Sequence, residues 1–220
     1  MKKIVLISTL LIIGISPSLF AKKGFGADLT VSLGAGIGFF HGDTNKYPNG
    51  GFEFGVCLKP NYYFEFSALS FGLSLEVGYQ RDIFAYKNEK LKGNTTFDSF
   101  ALGFIPKIDV LFLSIGFGGG IKFPLGGNLS ITDIYGGKQL EKYGYIELKE
   151  NFGKNLIIPY IKANVDFMLL PNVTLGIYIA YDIPLMKYPN DNSNNSYNPT
   201  SNTNIKFSSL DIGGQITLRF

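Results

Sequence analysis

The strongest constraint on this chain is a period-two alternation of large apolar with small or polar residues. It is sustained over segments of ten or more residues and broken by clusters of Gly, Asn and Pro. A period of two places successive side chains on opposite faces of an extended strand. Eight segments show it: 27–40, 51–66, 69–80, 98–111, 112–123, 156–168, 173–183 and 205–220. In the third, Phe71, Leu73, Leu75, Val77 and Tyr79 share one face, while Gly72, Ser74, Glu76, Gly78 and Gln80 take the other. In the seventh, Val173, Leu175, Ile177, Ile179 and Tyr181 oppose Thr174, Gly176, Tyr178 and Asp182. The fold class is therefore all-β, and antiparallel pairing of sequential strands gives an up-and-down barrel of eight strands.

Which face points outward separates a membrane barrel from a soluble one. A soluble barrel turns its apolar row inward and shows water a row rich in Lys, Glu and Thr. Here the second row is mostly Gly, Ser and Thr, and Gly weakens an exposed strand. Inside a narrow eight-stranded barrel small residues make room for long neighbours. The large apolar row then faces lipid, where a closed barrel satisfies every backbone group. Composition agrees, with only 17% charged residues, 15% aromatic and 27 Gly. Such a chain is too apolar for disorder, and a formal charge of +3 is no nucleic-acid footprint.

Connections alternate in length. Residues 41–50, 81–97, 124–155 and 184–204 form long polar links, whereas those near 67–68, 111–112 and 169–172 are short. Outer-membrane barrels combine short periplasmic turns with longer outer loops in this way. In the longest link, 129–135 and 143–149 alternate around Gly136-Gly137, which predicts a hairpin extending the wall above the membrane. Both arms fall short of the ~9–11 residues needed to cross; if they did cross, the barrel would have ten strands. Pro60, Pro106 and Pro159 lie in strands leading to short turns and are expected to mark bulges or local kinks.

The first 21 residues read as a secretory signal: Lys2 and Lys3, an apolar run from Ile4 to Ile15, Pro17, and Leu19-Phe20-Ala21 before Lys22. The run is too short to span a membrane as a helix. Residues 22–220 then form one outer-membrane barrel. The single Cys57 excludes a disulfide framework, and the lone His41 excludes multi-His metal sites. No cofactor or metal set is expected.

The mature region resembles the small eight-stranded bacterial outer-membrane barrels, the class of OmpX, the opacity proteins and the OmpA membrane domain. The resemblance lies in overall pattern and in the terminus Gly213-Gly214-Gln215-Ile216-Thr217-Leu218-Arg219-Phe220. It implies that Gly214, Ile216, Leu218 and the C-terminal Phe220 are read by the barrel-assembly machinery. It also implies outer-membrane localisation and a lipid environment. With no Trp, Tyr and Phe must supply the interfacial girdles.

The inward row carries charges of both signs: Asp28, Glu53, Glu65, Glu76, Asp109, Asp166, Asp182 and Asp211, with Lys59, Lys107, Lys122, Lys162 and Arg219. An eight-stranded lumen is about wide enough for side chains to fill, so these groups are expected to plug it as ion pairs, leaving at most a small cavity. The glycine runs 34–38 and 116–120 lie within strands and are not phosphate loops. Asp191-Asn192-Ser193-Asn194-Asn195 lacks the Gly and closing Glu of a calcium loop. His41, Asp43, Asp98 and Ser99 fall near the outer rim, similar in placement to lipid A-modifying barrel enzymes. Those enzymes begin with an amphipathic helix that this chain lacks, and no catalytic residues are assigned. The expected function is a structural or surface-interaction scaffold, adhesin-like, that meets host or phage surface molecules through its outer loops. A passive small-solute channel is the alternative, and a lipid A-modifying enzyme the more distant one.

Overall fold

A computed structural model of the protein describes residues 24–41, 47–66, 69–87, 91–133, 138–144, 157–183 and 206–220. Residues 1–21, expected to be a secretory signal, lie outside them. Ten strands follow in order: β1 Gly24–His41, β2 Tyr47–Phe66, β3 Leu69–Lys87, β4 Leu91–Phe104, β5 Lys107–Val110, β6 Leu113–Asp133, β7 Lys138–Gly144, β8 Ile158–Leu170, β9 Val173–Asp182 and β10 Lys206–Arg219. Their pairings are antiparallel and β1 pairs with both β2 and β10, so the sheet closes into a ring.

Eight crossings make that ring. β4 and β5 are one crossing interrupted at Ile105-Pro106, because proline has no N–H to give the ladder. The ladder continues through it: Ile105 donates to the Ser74 carbonyl at 2.8 Å and Phe117 to that of Pro106 at 3.1 Å. Pro60, Pro106 and Pro159 therefore sit in register, which corrects the expectation of bulges there. Register shifts occur instead between Asn49 and Phe54, at Asp98/Ser99, and at Met168/Leu170.

β7 stands off the ring and pairs with β6 alone among the described strands, from Thr132↔Lys138 to Gly126↔Gly144. The hairpin thus exists, with its second arm described over 138–144, earlier than the expected start at 143; residues 145–149 of the expected arm lie outside the described residues. Pairing with β6 begins at Lys138, the first described residue after Asp133. At 21 residues β6 is about twice the length that crosses hydrocarbon, so its upper half projects above it.

The outward row is lipid-facing: Leu33, Leu58, Leu75, Phe117, Ile177 and Ile212 are each about half exposed or more. Aromatics border this belt. At the end with the short turns, Tyr62 makes edge contacts with Phe25 and Phe64, ring centroids 4.8 Å apart in both pairs. At the other end, Phe54 and Tyr79 lie 5.5 Å apart and the Arg81 guanidinium sits 5.9 Å over Phe54.

Above that border the pattern inverts. On β4, Phe100, Leu102 and Phe104 point out and Ala101 is buried, but four residues higher Phe97 is buried and its neighbours Thr96 and Asp98 face outward. A strand leaving the bilayer meets water outside, so its apolar face turns inward. This is why 81–97, expected to be a link, is mostly strand: β3 runs to Lys87 and β4 starts at Leu91.

Candidate functional site in the barrel lumen

Charged side chains come from alternating positions of the ring and stack in layers along its axis. Nearest the short-turn end, Arg219 lies 3.5 Å from Asp109, and Lys107 donates to Asp28 at 3.2 Å. Next, the Thr30 and Thr217 hydroxyls meet at 2.9 Å, and Asp166 accepts from Asn164 and Gln215, both at 2.6 Å. At mid-barrel Glu76 lies 3.0 Å from both Lys59 and Lys162 and accepts from the Tyr160 hydroxyl at 2.9 Å. Above it Lys122 reaches Asp82 at 2.7 Å, Asp182 at 2.8 Å and Asp211 at 3.7 Å. Glu53 accepts the Ile83 amide at 2.8 Å. Isolated buried charges are prohibitively costly, so such a row persists only when paired.

Small residues make this packing possible. A Cβ at Gly34 would strike the Tyr178 hydroxyl, one at Gly103 the Tyr160 hydroxyl, and one at Gly176 the Asp166 carboxylate. The recurrence of glycine on the inward row is thereby explained by volume, opposite the longest side chains of the lumen.

Towards the upper mouth the buried side chains are apolar. Ile83, Phe84, Ala85 and Phe97 are buried, with the Phe84 and Phe97 rings 5.5 Å apart in an edge contact. The extra residue in β2 between Asn49 and Phe54 lets the top of β3 lean inward, across to β1. Gly38 permits that approach: a Cβ there would lie 2.8 Å from both the amide nitrogen and the carbonyl oxygen of Ala85. Below these apolar side chains a cavity of about 20 Å³ is lined by Ser32, Glu53, Gln80, Asp82, Tyr178 and Asp211, among others. That is room for about one water-sized occupant.

Of the inward charges read from sequence, Asp28, Glu53, Lys59, Glu76, Lys107, Asp109, Lys122, Lys162, Asp166, Asp182 and Asp211 are buried, and Arg219 is nearly so. Glu65 is exposed, because β2 has by then run past the rim. Asp82 joins the network although the sequence reading placed it in a link; its signal was the phase of β3, in which it follows Gly78 and Gln80. The rim residues do not converge on one site. Asp98 lies on the outer wall, where it accepts from Arg81 at 2.8 and 3.1 Å and from the Tyr79 hydroxyl, while Ser99 is buried in the lumen. The His41 side chain and Asp43 lie outside the described residues. On the outward face of β10, Gly214, Ile216, Leu218 and Phe220 form one row, and Phe220 exchanges backbone hydrogen bonds with Ala27 of β1 at 2.9 and 3.3 Å.

A closed antiparallel ring of eight crossings, an apolar belt outside and paired charges inside define a small transmembrane β-barrel of the bacterial outer-membrane type. No protein-family model matches the chain, and no curated protein matches it. Among solved structures it is similar to Neisserial surface protein A at 15% identity, over 87% of this chain and 97% of that one, with a TM-score of 0.43. Ail, the attachment invasion locus protein of Yersinia pestis, aligns at 14% identity over 90% and 99%, with a TM-score of 0.39. The outer membrane protease OmpT of Escherichia coli aligns at 10% over 94% and 100%, with a TM-score of 0.38.

Proposed function

We propose that this protein is a non-conducting outer-membrane scaffold that works from its outer edge, meeting molecules on host or phage surfaces. The observation that supports this reading is the filling of the lumen by ion-pair layers from Asp28 to Asp211, with the buried Phe84–Phe97 pair above them. A solute pathway would have to break several buried ion pairs in turn, and breaking one costs about 3–5 kcal/mol. Among the described residues, the parts that extend beyond the belt include the upper half of β6, its partner β7, and the tops of β2, β3 and β4. In the same reading residues 1–21 direct export and are removed before Lys22, and the Gly214, Ile216, Leu218 and Phe220 row is presented to the assembly machinery.

Planar-bilayer recording tests the proposal. Pure protein should give no steady single-channel current, and protease added to intact cells should cut between 136 and 142. Steady currents from the pure barrel would overturn the scaffold reading and favour small-solute permeation.

A further inference from the structure

The two ends of the wall treat apolar side chains differently. On β3 and β4 the wall that leaves the outer leaflet turns Phe84 and Phe97 inward, as contact with water requires. At the short-turn end no such reversal occurs among the described residues. A pair of exposed large apolar side chains stands at each short turn: Phe66 and Leu69, Leu111 and Phe112, Leu169 and Leu170. Near the chain ends of the barrel, Phe25 is 93% exposed and Phe220 more than half exposed. The charged groups at this level, Glu65, Asp109 and Arg219, belong to the inward face and look to the mouth of the lumen.

Two of the turns also depart from ordinary turn chemistry. The link Leu111-Phe112 holds Leu111 at a φ of 53°, a left-handed conformation that hairpin turns usually give to Gly, Asn or Asp. Leu111 is nevertheless 76% exposed, so no contact within the protein offsets that strain. At the third turn the register shift between Met168 and Leu170 adds Leu169 to its strand. Two successive leucines thereby reach the surface, 62% and 60% exposed. Strain and apolar exposure together call for apolar surroundings outside the chain.

We propose that the three short turns lie immersed in the periplasmic leaflet, covered by phospholipid acyl chains, so that the barrel ends flush with the hydrocarbon on that side. The turns continue the established lipid-facing surface: on β3, Leu69 is followed by Phe71, Leu73, Leu75 and Val77 in one outward row. From Tyr79 at the outer border down to Leu69 the wall covers roughly 25 Å along the axis, at ~3.3 Å per residue and a tilt of ~40°. That is about the whole height of the apolar band of such barrels, so its inner edge falls at the turn itself. The apolar pairs also encircle the barrel, at the β2–β3, β5–β6 and β8–β9 turns, with Phe25 and Phe220 where β1 meets β10. A surrounding lipid demands that distribution, whereas a partner docked on one side does not. The placement follows from the barrel fold and is independent of the scaffold reading.

The chain contains no Trp, so Phe112→Trp and Leu170→Trp each introduce a sole fluorescent reporter at a different turn. Each variant is folded into phospholipid nanodiscs, where both faces meet the solution, and folding is checked by heat-modifiable migration. The expected emission is blue-shifted from that of free tryptophan, cut about twofold or more by brominated acyl chains, and little changed by iodide. Thr96→Trp, outward above the belt, should show the opposite pattern. Unshifted emission from the folded turn variants, quenched by iodide and not by bromolipid, would overturn the proposal and leave the apolar turns to a protein partner or a second copy.

Discussion

Glu76 is the residue on which most of the mid-lumen depends, holding Lys59 and Lys162 at 3.0 Å and the Tyr160 hydroxyl at 2.9 Å. Glu76→Gln keeps the volume but leaves two ammonium groups, each at most 4% exposed, without a counter-charge. Equilibrium urea unfolding in lipid vesicles should show a loss of about 3–5 kcal/mol, and a loss below about 1 kcal/mol would mean the pairing is not structural. One position away the wall faces lipid. Leu75→Arg or Ile177→Arg should cost roughly 2–4 kcal/mol in the same measurement if these positions lie near the midplane. These roles were legible in the sequence because alternation alone assigns each side chain a face. Glu65 and Asp82 were misread for one reason: alternation says which face a residue takes, not where along its strand the barrel ends.

At the scale of elements, β10 carries the closure. It pairs with β1 from Asp28↔Arg219 to His41↔Lys206, and Phe220 adds backbone bonds to Ala27 on both sides. Removing Phe220 takes away one half-exposed side chain and those two bonds, a small share of the ladder. If the terminal row is read during assembly, the truncated protein should nonetheless be depleted from the outer membrane several-fold, as quantitative immunoblotting of membrane fractions would show. Normal levels of protease-resistant truncated protein would remove the assembly role. The eight crossings were readable because each presents an apolar row to lipid. The upper parts of β3 and β4 were not, since above the belt water lies outside and Phe84 and Phe97 point inward. The start of the second arm was not legible because Lys138–Gly144 is held by its pairing with β6, not by an apolar stripe of its own.

For the whole molecule, an apolar exterior over the central belt goes with a paired interior and a wall that continues beyond the membrane with its apolar side chains turned inward. β4 carries all of this in one element. Spin labels placed singly at 94, 96, 100, 102 and 104, with the sole cysteine Cys57 replaced by Ser, test it most directly in lipid vesicles. Phe100, Leu102 and Phe104 should favour collision with oxygen, which concentrates in hydrocarbon. Asn94 and Thr96, on the same outward face, should favour a water-soluble nickel chelate. Chelate-favoured collision at 100, 102 and 104 would contradict the account, because the apolar row would then face water and the chain could not be a membrane barrel.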